Sequence, residues 1–147
     1  MPGAVALAGP LEGITVLDLS TVGPAARCTR LLADYGARVV KVGPVPSADA
    51  APIQPQFFAY SGHRGMRRVL LDLKDDAGRE AFLALAAAAD VIVESFRPGV
   101  VGRLGIGYDE VSARNAGIVY CSTSGYGQDG PHAQLSLIHI SEPTRPY

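Results

Sequence analysis

Short apolar runs rich in β-branched residues recur along the chain, and stretches with helical periodicity separate them. Runs of this length and composition are typical of strands with both faces buried. The pattern predicts five strands, at residues 13–19, 39–42, 69–73, 91–94 and 117–122.

The stretch between the first two strands predicts a helix with clear ends. Pro24 suits the first helical position, where its missing N–H costs nothing, and Gly36 suits the left-handed end of a helix. Helical spacing would place four residues on one packing face: Cys28, Leu31, Leu32 and Tyr35.

A second helix is predicted after the third strand, because Asp75 and Asp76 would bring negative charge to its positive end. It would run to about residue 89 and pack through Phe82, Leu83 and Leu85. Shorter helices are predicted near residues 100–104 and 108–115, and residues 43–55, with four prolines, predict a loop.

Strand, helix and strand joined by short connections indicate parallel strands with a right-handed crossover. Because the alternation continues along the chain, the predicted fold is an open α/β sheet flanked by helices.

Composition narrows the class of protein. The 147 residues are 48% hydrophobic and 18% charged, with a net charge of -1, as in globular domains. Because the net charge is close to zero, the protein as a whole does not attract nucleic acid or an anionic membrane. Local arginines or lysines must therefore hold any anionic ligand. No apolar run reaches the roughly 20 residues of a membrane span, and we expect a cytoplasmic protein. Cys28 and Cys121 are expected to be buried, reduced thiols, and no metal site is expected.

In open α/β sheets, ligands bind beyond the carboxyl ends of the strands. The turn after the first strand lacks the glycine pattern GxGxxG, which disfavours an NAD- or FAD-binding domain, and the phosphate-binding motif GxxxxGK[ST] is also absent. After the fourth strand, Arg97 could clamp a phosphate while Phe96 covers an adenine or pantetheine group. The alternative is a plain surface turn with solvated arginines, which the pattern alone favours.

Other features leave alternatives open. Asp18 is either a buried functional acid or a strand-end cap, and the basic residues 63–68 either neutralise phosphates or form a solvated loop. The glycine-rich residues 122–130 allow close approach of a ligand or another segment. The histidines show no spacing typical of a catalytic triad: His63, His132 and His139.

Taken together, these segments resemble the family III coenzyme A (CoA) transferases (CaiB/BaiF-like), a group that also contains α-methylacyl-CoA racemases. The resemblance covers residues 11–134 and rests on five stretches in order: LEGITVLDL (11–19), LADYGARVVKV (32–42), LDLK (71–74), ADVIVESFRPGV (89–100) and YCSTSGYGQDGP (120–131).

The resemblance implies a Rossmann-like large domain within an intertwined homodimer, with coenzyme A or an acyl-CoA lying along the strand ends. Arg103 would reach a phosphate, and the other implied pocket residues are Leu71, Asp72, Leu73, Ser95 and Phe96. The chain departs from the family at Gly43, where an acidic residue is usual, and at Met66, where lysine is usual.

The resemblance also implies a reaction. Transferases of this family use an aspartate that forms a mixed anhydride and then an aspartyl-CoA thioester. The racemases exchange a proton between a histidine and an aspartate. In both branches the first catalytic residue would follow Gln134, so this chain is expected to be an inactive N-terminal fragment. The alternatives outside catalysis are a CoA-binding module and a fragment that does not fold stably.

Three regions are therefore expected. Residues 1–10 would be an N-terminal tail and residues 11–134 a partial CoA-transferase large domain. Residues 135–147 are similar to the translation of a sequencing-library adapter, and we expect them to be a non-native tail in which His139 falls near a catalytic position by accident.

Overall fold

The computed structural model describes residues 9–20, 23–46 and 64–135. The strands are β1 (Thr15–Asp18), β2 (Arg38–Gly43), β3 (Arg67–Leu70), β4 (Val91–Glu94) and β5 (Val119–Ser122). The helices in these ranges are α1 (Pro24–Asp34), α2 (Asp76–Ala87), α3 (Val100–Arg103) and α4 (Tyr108–Ser112).

The five strands form one sheet in the order β3-β2-β1-β4-β5, and every neighbouring pair is parallel. This arrangement confirms the predicted open α/β sheet. The central strands β1 and β4 are apolar on both faces because helices cover both sides. Leu17 and Ile92 join a core cluster with Phe82 on the α2 side, whereas Val16 and Val93 join a second cluster on the α1 side.

The predicted packing face of α1 is wrong in most of its residues. Leu31 is 57% exposed and Tyr35 is 56% exposed, whereas Ala25 and Thr29 are fully buried against the sheet. Small side chains allow the helix to approach the strands closely, and the Thr29 hydroxyl has a buried hydrogen-bond partner on β1. Only Leu32 of the predicted face packs against the core.

The expectation that both thiols are buried is wrong for Cys28, which is exposed on α1. Cys121 on β5 is partly buried beside the second core cluster. Burial raises the pKa of the Cys121 thiol, and the Cys28 and Glu94 charges raise it further. Neither thiol forms a disulfide.

Strand β3 lies nearer the N-terminus than the predicted residues 69–73. Its register pairs Arg67 with Val40 and Leu70 with Gly43, so β3 ends where β2 ends. Beyond Gly43 comes Pro44, which has no N–H to continue a ladder. The residues that follow Leu70 therefore leave the sheet at its carboxyl edge.

Helix α2 begins as predicted, since the Asp75 carboxylate caps it by accepting a hydrogen bond of 3.2 Å from the Ala77 N–H. Phe82 and Leu83 are buried, but the predicted packing of Leu85 is wrong, because Leu85 is 36% exposed. Among the described helices, none has the length and apolar character needed to cross a bilayer. Several sequence predictions concern residues outside the described ranges: residues 1–8, 47–55 and 136–147, with His63 and His139.

Candidate functional site

The carboxyl ends of the five parallel strands lie along one edge of the sheet. The chain leaves β1 through α1 towards β2, whereas it leaves β4 in the opposite direction towards β5. The ends of β1 and β4 are adjacent and form the switch point where ligands bind in open α/β sheets. A ligand site is therefore expected at this edge of the sheet.

A buried polar network occupies the end of β1. Asp18 is 0% exposed, and both of its carboxylate oxygens accept hydrogen bonds. One oxygen accepts from the Ser20 N–H at 2.8 Å and the Ser20 hydroxyl at 2.6 Å, and the other accepts from the Thr29 hydroxyl at 2.8 Å. Of the two interpretations of Asp18, the strand-end cap is the one that the structure shows.

Lys41 completes this network from β2. Its ammonium donates to Asp18 at 3.1 Å and to the Ser20 hydroxyl at 3.3 Å, and the residue is only 7% exposed. Burial lowers the pKa of Lys41; the Asp18 carboxylate opposes this effect and the Arg68 charge adds to it. The network ties β1, β2 and α1 together beneath the switch point.

A second buried carboxylate shapes the turn after β4. Glu94 is 2% exposed, and its side chain accepts a hydrogen bond of 2.6 Å from the Phe96 N–H. Its carbonyl accepts from both the N–H and the hydroxyl of Thr123, at 3.0 and 3.1 Å. These bonds fix the start of the turn and link it to the loop after β5. Ser95 is partly buried in this turn.

The predicted phosphate ligands follow in the same segment. Arg97 is exposed, and Phe96 packs partly buried against the first core cluster. Arg103 is exposed at the end of α3, where its Nη1 lies 3.1 Å from the position that a Cβ on Gly99 would take. Gly99 also has a φ of 80°, so it supplies both the left-handed turn and the space for the arginine.

The other predicted pocket residues lie directly beyond β3. Leu71 and Leu73 pack partly buried against the first core cluster, while Asp72 is exposed. The Asp72 carboxylate accepts from the Lys74 N–H at 3.0 Å. Gly78 of α2 packs against the Asp72 carbonyl so closely that a Cβ on it would overlap that oxygen. The position of α2 therefore sets the position of this segment.

The structure places the seven predicted site residues on one edge, but in two groups. Leu71, Leu73 and Phe96 contact the same core cluster and so lie on one side of the sheet. The two groups follow β3 and β4, which are separated by β2 and β1. Three strand spacings amount to about 14 Å, so a single ligand reaching both groups must be elongated.

His132 and Tyr120 belong to neither of these two groups. His132 is exposed and its ring lies 5.6 Å from that of Tyr126. Burial raises the pKa of Tyr120, whose hydroxyl donates to the Ile106 carbonyl. Among the described residues, no group of histidines, cysteines or carboxylates could hold a metal ion.

Sequence reasoning did not identify Lys41 and Glu94 as buried site residues. A signal was available for both, since each is a charged residue within an apolar strand. Nothing in the sequence indicated their partners, because Lys41 lies 23 residues from Asp18.

The sequence model of CoA-transferase family III matches residues 11–138. The acetyl-CoA:oxalate CoA-transferase of Acetobacter aceti is 39% identical over 85% of this chain and 34% of its own length. Human succinyl-CoA:glutarate CoA-transferase is 36% identical over 91% of this chain and 35% of its own length.

Solved protein structures are also similar to this chain. A CaiB/BaiF family protein from Brucella suis has a TM-score of 0.81 at 28% identity, covering 91% of this chain and 39% of its own. The Mycobacterium tuberculosis protein Rv3272 has a TM-score of 0.80 at 33% identity, covering 95% of this chain and 42% of its own. A short-chain dehydrogenase/reductase from Serratia marcescens, at 15% identity and a TM-score of 0.50, shares the fold alone.

The chain spans about a third of the length of these curated relatives, 34% and 35% in the two cases. Within that span, the family match includes every strand of the sheet and the turns that carry the seven predicted site residues. The chain therefore belongs to CoA-transferase family III.

Proposed function

We propose that the parent protein transfers coenzyme A between carboxylic acids, and that the described residues form its coenzyme-binding part. The observation that carries the proposal is the family match across the strand-end turns. The two curated relatives described above are named as transferases that act on oxalate and glutarate. These names support a carboxylate as acceptor without identifying it.

The two groups of site residues suit different parts of coenzyme A. Leu71 and Leu73 offer apolar surface beside the exposed Asp72, which suits the adenine end. Arg97 and Arg103 offer exposed guanidinium groups that can each form paired hydrogen bonds to phosphate. Ser95 and Phe96 lie next to them and would contact the pantetheine arm. The separation of the groups fits an elongated ligand better than a compact one.

In the proposed reaction, an aspartate carboxylate attacks the acyl thioester, which breaks the C–S bond, releases the CoA thiolate and forms a mixed anhydride of the aspartate and the acyl group. The thiolate then attacks the aspartyl carbonyl, which frees the first carboxylic acid and leaves an aspartyl-CoA thioester. The acceptor carboxylate repeats these steps in reverse order and leaves as its CoA thioester. We place this aspartate beyond Gln134, so the role of the present residues is to hold the coenzyme.

We expect the 147-residue chain to bind coenzyme A but not to convert acetyl-CoA and oxalate into acetate and oxalyl-CoA. Replacing Arg103 with glutamine should weaken binding about tenfold, because a charge-assisted hydrogen bond to phosphate would be lost. Isothermal titration calorimetry measures the affinity, and chromatography of the CoA thioesters measures turnover.

Arg114→Gln is the matched control, since Arg114 is exposed and pairs with Glu80 at 2.8 Å outside both site groups. It should bind coenzyme A as the unchanged chain does. A folded chain without affinity for coenzyme A would contradict the proposed function. Turnover by this chain would instead contradict the placement of the aspartate beyond Gln134.

A further inference from the structure

The two cysteines of the chain lie on the same side of the sheet. Cys121 of β5 packs against the second core cluster, to which Val93 of β4 and Ala25 of α1 belong. The register pairs Val93 with Cys121 and with Asp18, so these side chains form one row across β5, β4 and β1. Cys28 belongs to α1, the helix that packs over this row. The two thiols therefore come from adjacent layers of the fold.

The rotation of α1 turns Cys28 towards β4 and β5. Ala25 is fully buried and faces the sheet. Each helical residue turns by about 100°, so Thr29 lies about 40° from Ala25 on one flank and Cys28 about 60° from it on the other. Thr29 donates a hydrogen bond of 2.8 Å to Asp18 on β1. Because the helix and the crossover from β1 to β2 are both right-handed, the opposite flank, with Cys28, faces β4 and β5.

The two thiols differ in their access to solvent. Cys28 is exposed, whereas Cys121 is partly buried. Burial raises the pKa of the Cys121 thiol, and a charge on Cys28 raises it further, as expected for two sulfur atoms that lie near each other. An oxidant therefore reaches Cys28 first, and Cys121 is placed to react with the product.

We propose that Cys28 and Cys121 form an oxidation site, at which hydrogen peroxide converts the two thiols into a disulfide between α1 and β5. The Cys28 thiolate attacks one peroxide oxygen, which breaks the O–O bond, releases hydroxide and leaves a sulfenic acid. The Cys121 sulfur loses its proton and attacks the Cys28 sulfur, which forms the S–S bond and expels the hydroxyl group as water. One peroxide thus takes two electrons from the thiols and becomes two molecules of water.

The test treats the dilute 147-residue chain with an equal amount of hydrogen peroxide and then with iodoacetamide. Cys28 and Cys121 are its only cysteines, so an intramolecular disulfide must join them. Intact mass spectrometry should show a monomer that has lost two hydrogen atoms, takes up no iodoacetamide and regains both thiols with dithiothreitol. Its melting temperature should exceed that of the reduced chain by at least about 5 °C, because the bond restricts the unfolded chain.

Arg27→Cys combined with Cys28→Ser is the matched control. It keeps two cysteines and one exposed thiol on α1, since Arg27 is exposed as Cys28 is. Position 27 lies about 200° from Ala25 around the helix, so its side chain points away from the sheet. Both changed positions are exposed, and this variant should fold as the unchanged chain does. We expect it to form the monomeric disulfide about tenfold more slowly or not at all, because the thiols cannot meet.

Cys121→Ser separates the two steps. This variant should stop at a sulfenic acid on Cys28, which dimedone labels, whereas the unchanged chain should accumulate the disulfide instead. The proposal is wrong if the unchanged chain forms mainly disulfide-linked dimers, or if its Cys28 sulfenic acid persists beside a free Cys121. It is also wrong if the matched control forms the monomeric disulfide as fast as the unchanged chain. None of these measurements involves coenzyme A, so this inference and the proposed function can fail separately.

Discussion

Replacing Asp18 with alanine is expected to lower the free energy of unfolding by about 3–5 kcal/mol, the cost of leaving a buried charge unpaired. Lys41 would remain 7% exposed without a counterion, and the hydroxyls of Ser20 and Thr29 would lose their shared acceptor. Urea unfolding followed by circular dichroism measures the change. Domain stabilities are commonly about 5–15 kcal/mol, so this variant could be largely unfolded.

Two further variants distinguish the effect of breaking the buried Asp18–Lys41 ion pair from the effect of removing any charged side chain. Glu80→Ala removes an exposed partner of Arg114 and should change stability by less than about 1 kcal/mol. Adding Lys41→Met to Asp18→Ala removes the orphaned ammonium, and we expect it to recover part of the loss. If Asp18→Ala unfolds at the same urea concentration as Glu80→Ala, the network does not have the role assigned to it.

Replacing Gly78 with alanine is expected to destabilise the chain by about 1–3 kcal/mol, as overpacking does in closely packed regions. The added Cβ would overlap the Asp72 carbonyl, which is backbone and can give way only if the whole segment moves. Alanine would otherwise favour a helix by about 1 kcal/mol, so the steric effect must exceed that gain. Because the displaced segment includes Leu71 and Leu73, affinity for coenzyme A should fall as well.

Gly102→Ala is the matched control, since Gly102 is also helical but has nothing within 4 Å of an added Cβ. We expect it to leave stability unchanged or to raise it by up to about 1 kcal/mol. Thermal melting compares the two variants, and calorimetry compares their coenzyme affinity. A Gly78→Ala variant as stable as Gly102→Ala would show that α2 does not set the position of residues 71–73.

Strand positions could be predicted from the sequence where burial alone decides them. β4 matches its predicted residues because Val91, Ile92 and Val93 form an apolar run covered on both faces. β3 does not, because its position depends on pairing with β2 and has no strong local signal. Its residues are largely exposed, and two of its four are arginines.

The packing face of α1 could not be predicted from the sequence, for a different reason. An amphipathic pattern favoured Leu31 and Tyr35, which are large and apolar, over Ala25 and Thr29. In the structure the small residues face the sheet instead, and the Thr29 hydroxyl donates a hydrogen bond to Asp18 on β1. A hydrogen bond between residues 11 positions apart on different elements leaves no periodic signal in the sequence.

The edge that carries the candidate site could also be predicted, since alternating strands and helices imply parallel strands with their carboxyl ends together. The arrangement along that edge could not. Only the strand order shows that Leu71 and Phe96 belong to groups separated by two strands. The same order brings Arg68 beside Gly43, which the sequence separates by 25 positions.

The most direct test of the central claim is amide chemical-shift mapping by NMR of the 15.3 kDa chain during titration with coenzyme A. If the coenzyme lies along the carboxyl edge, the largest shifts fall at residues 71–73, 95–97 and Arg103. The amides at the amino ends, such as those of Arg38 and Val119, should remain unchanged. Shifts concentrated at the amino ends, or none at saturating coenzyme, would contradict a coenzyme site at this edge.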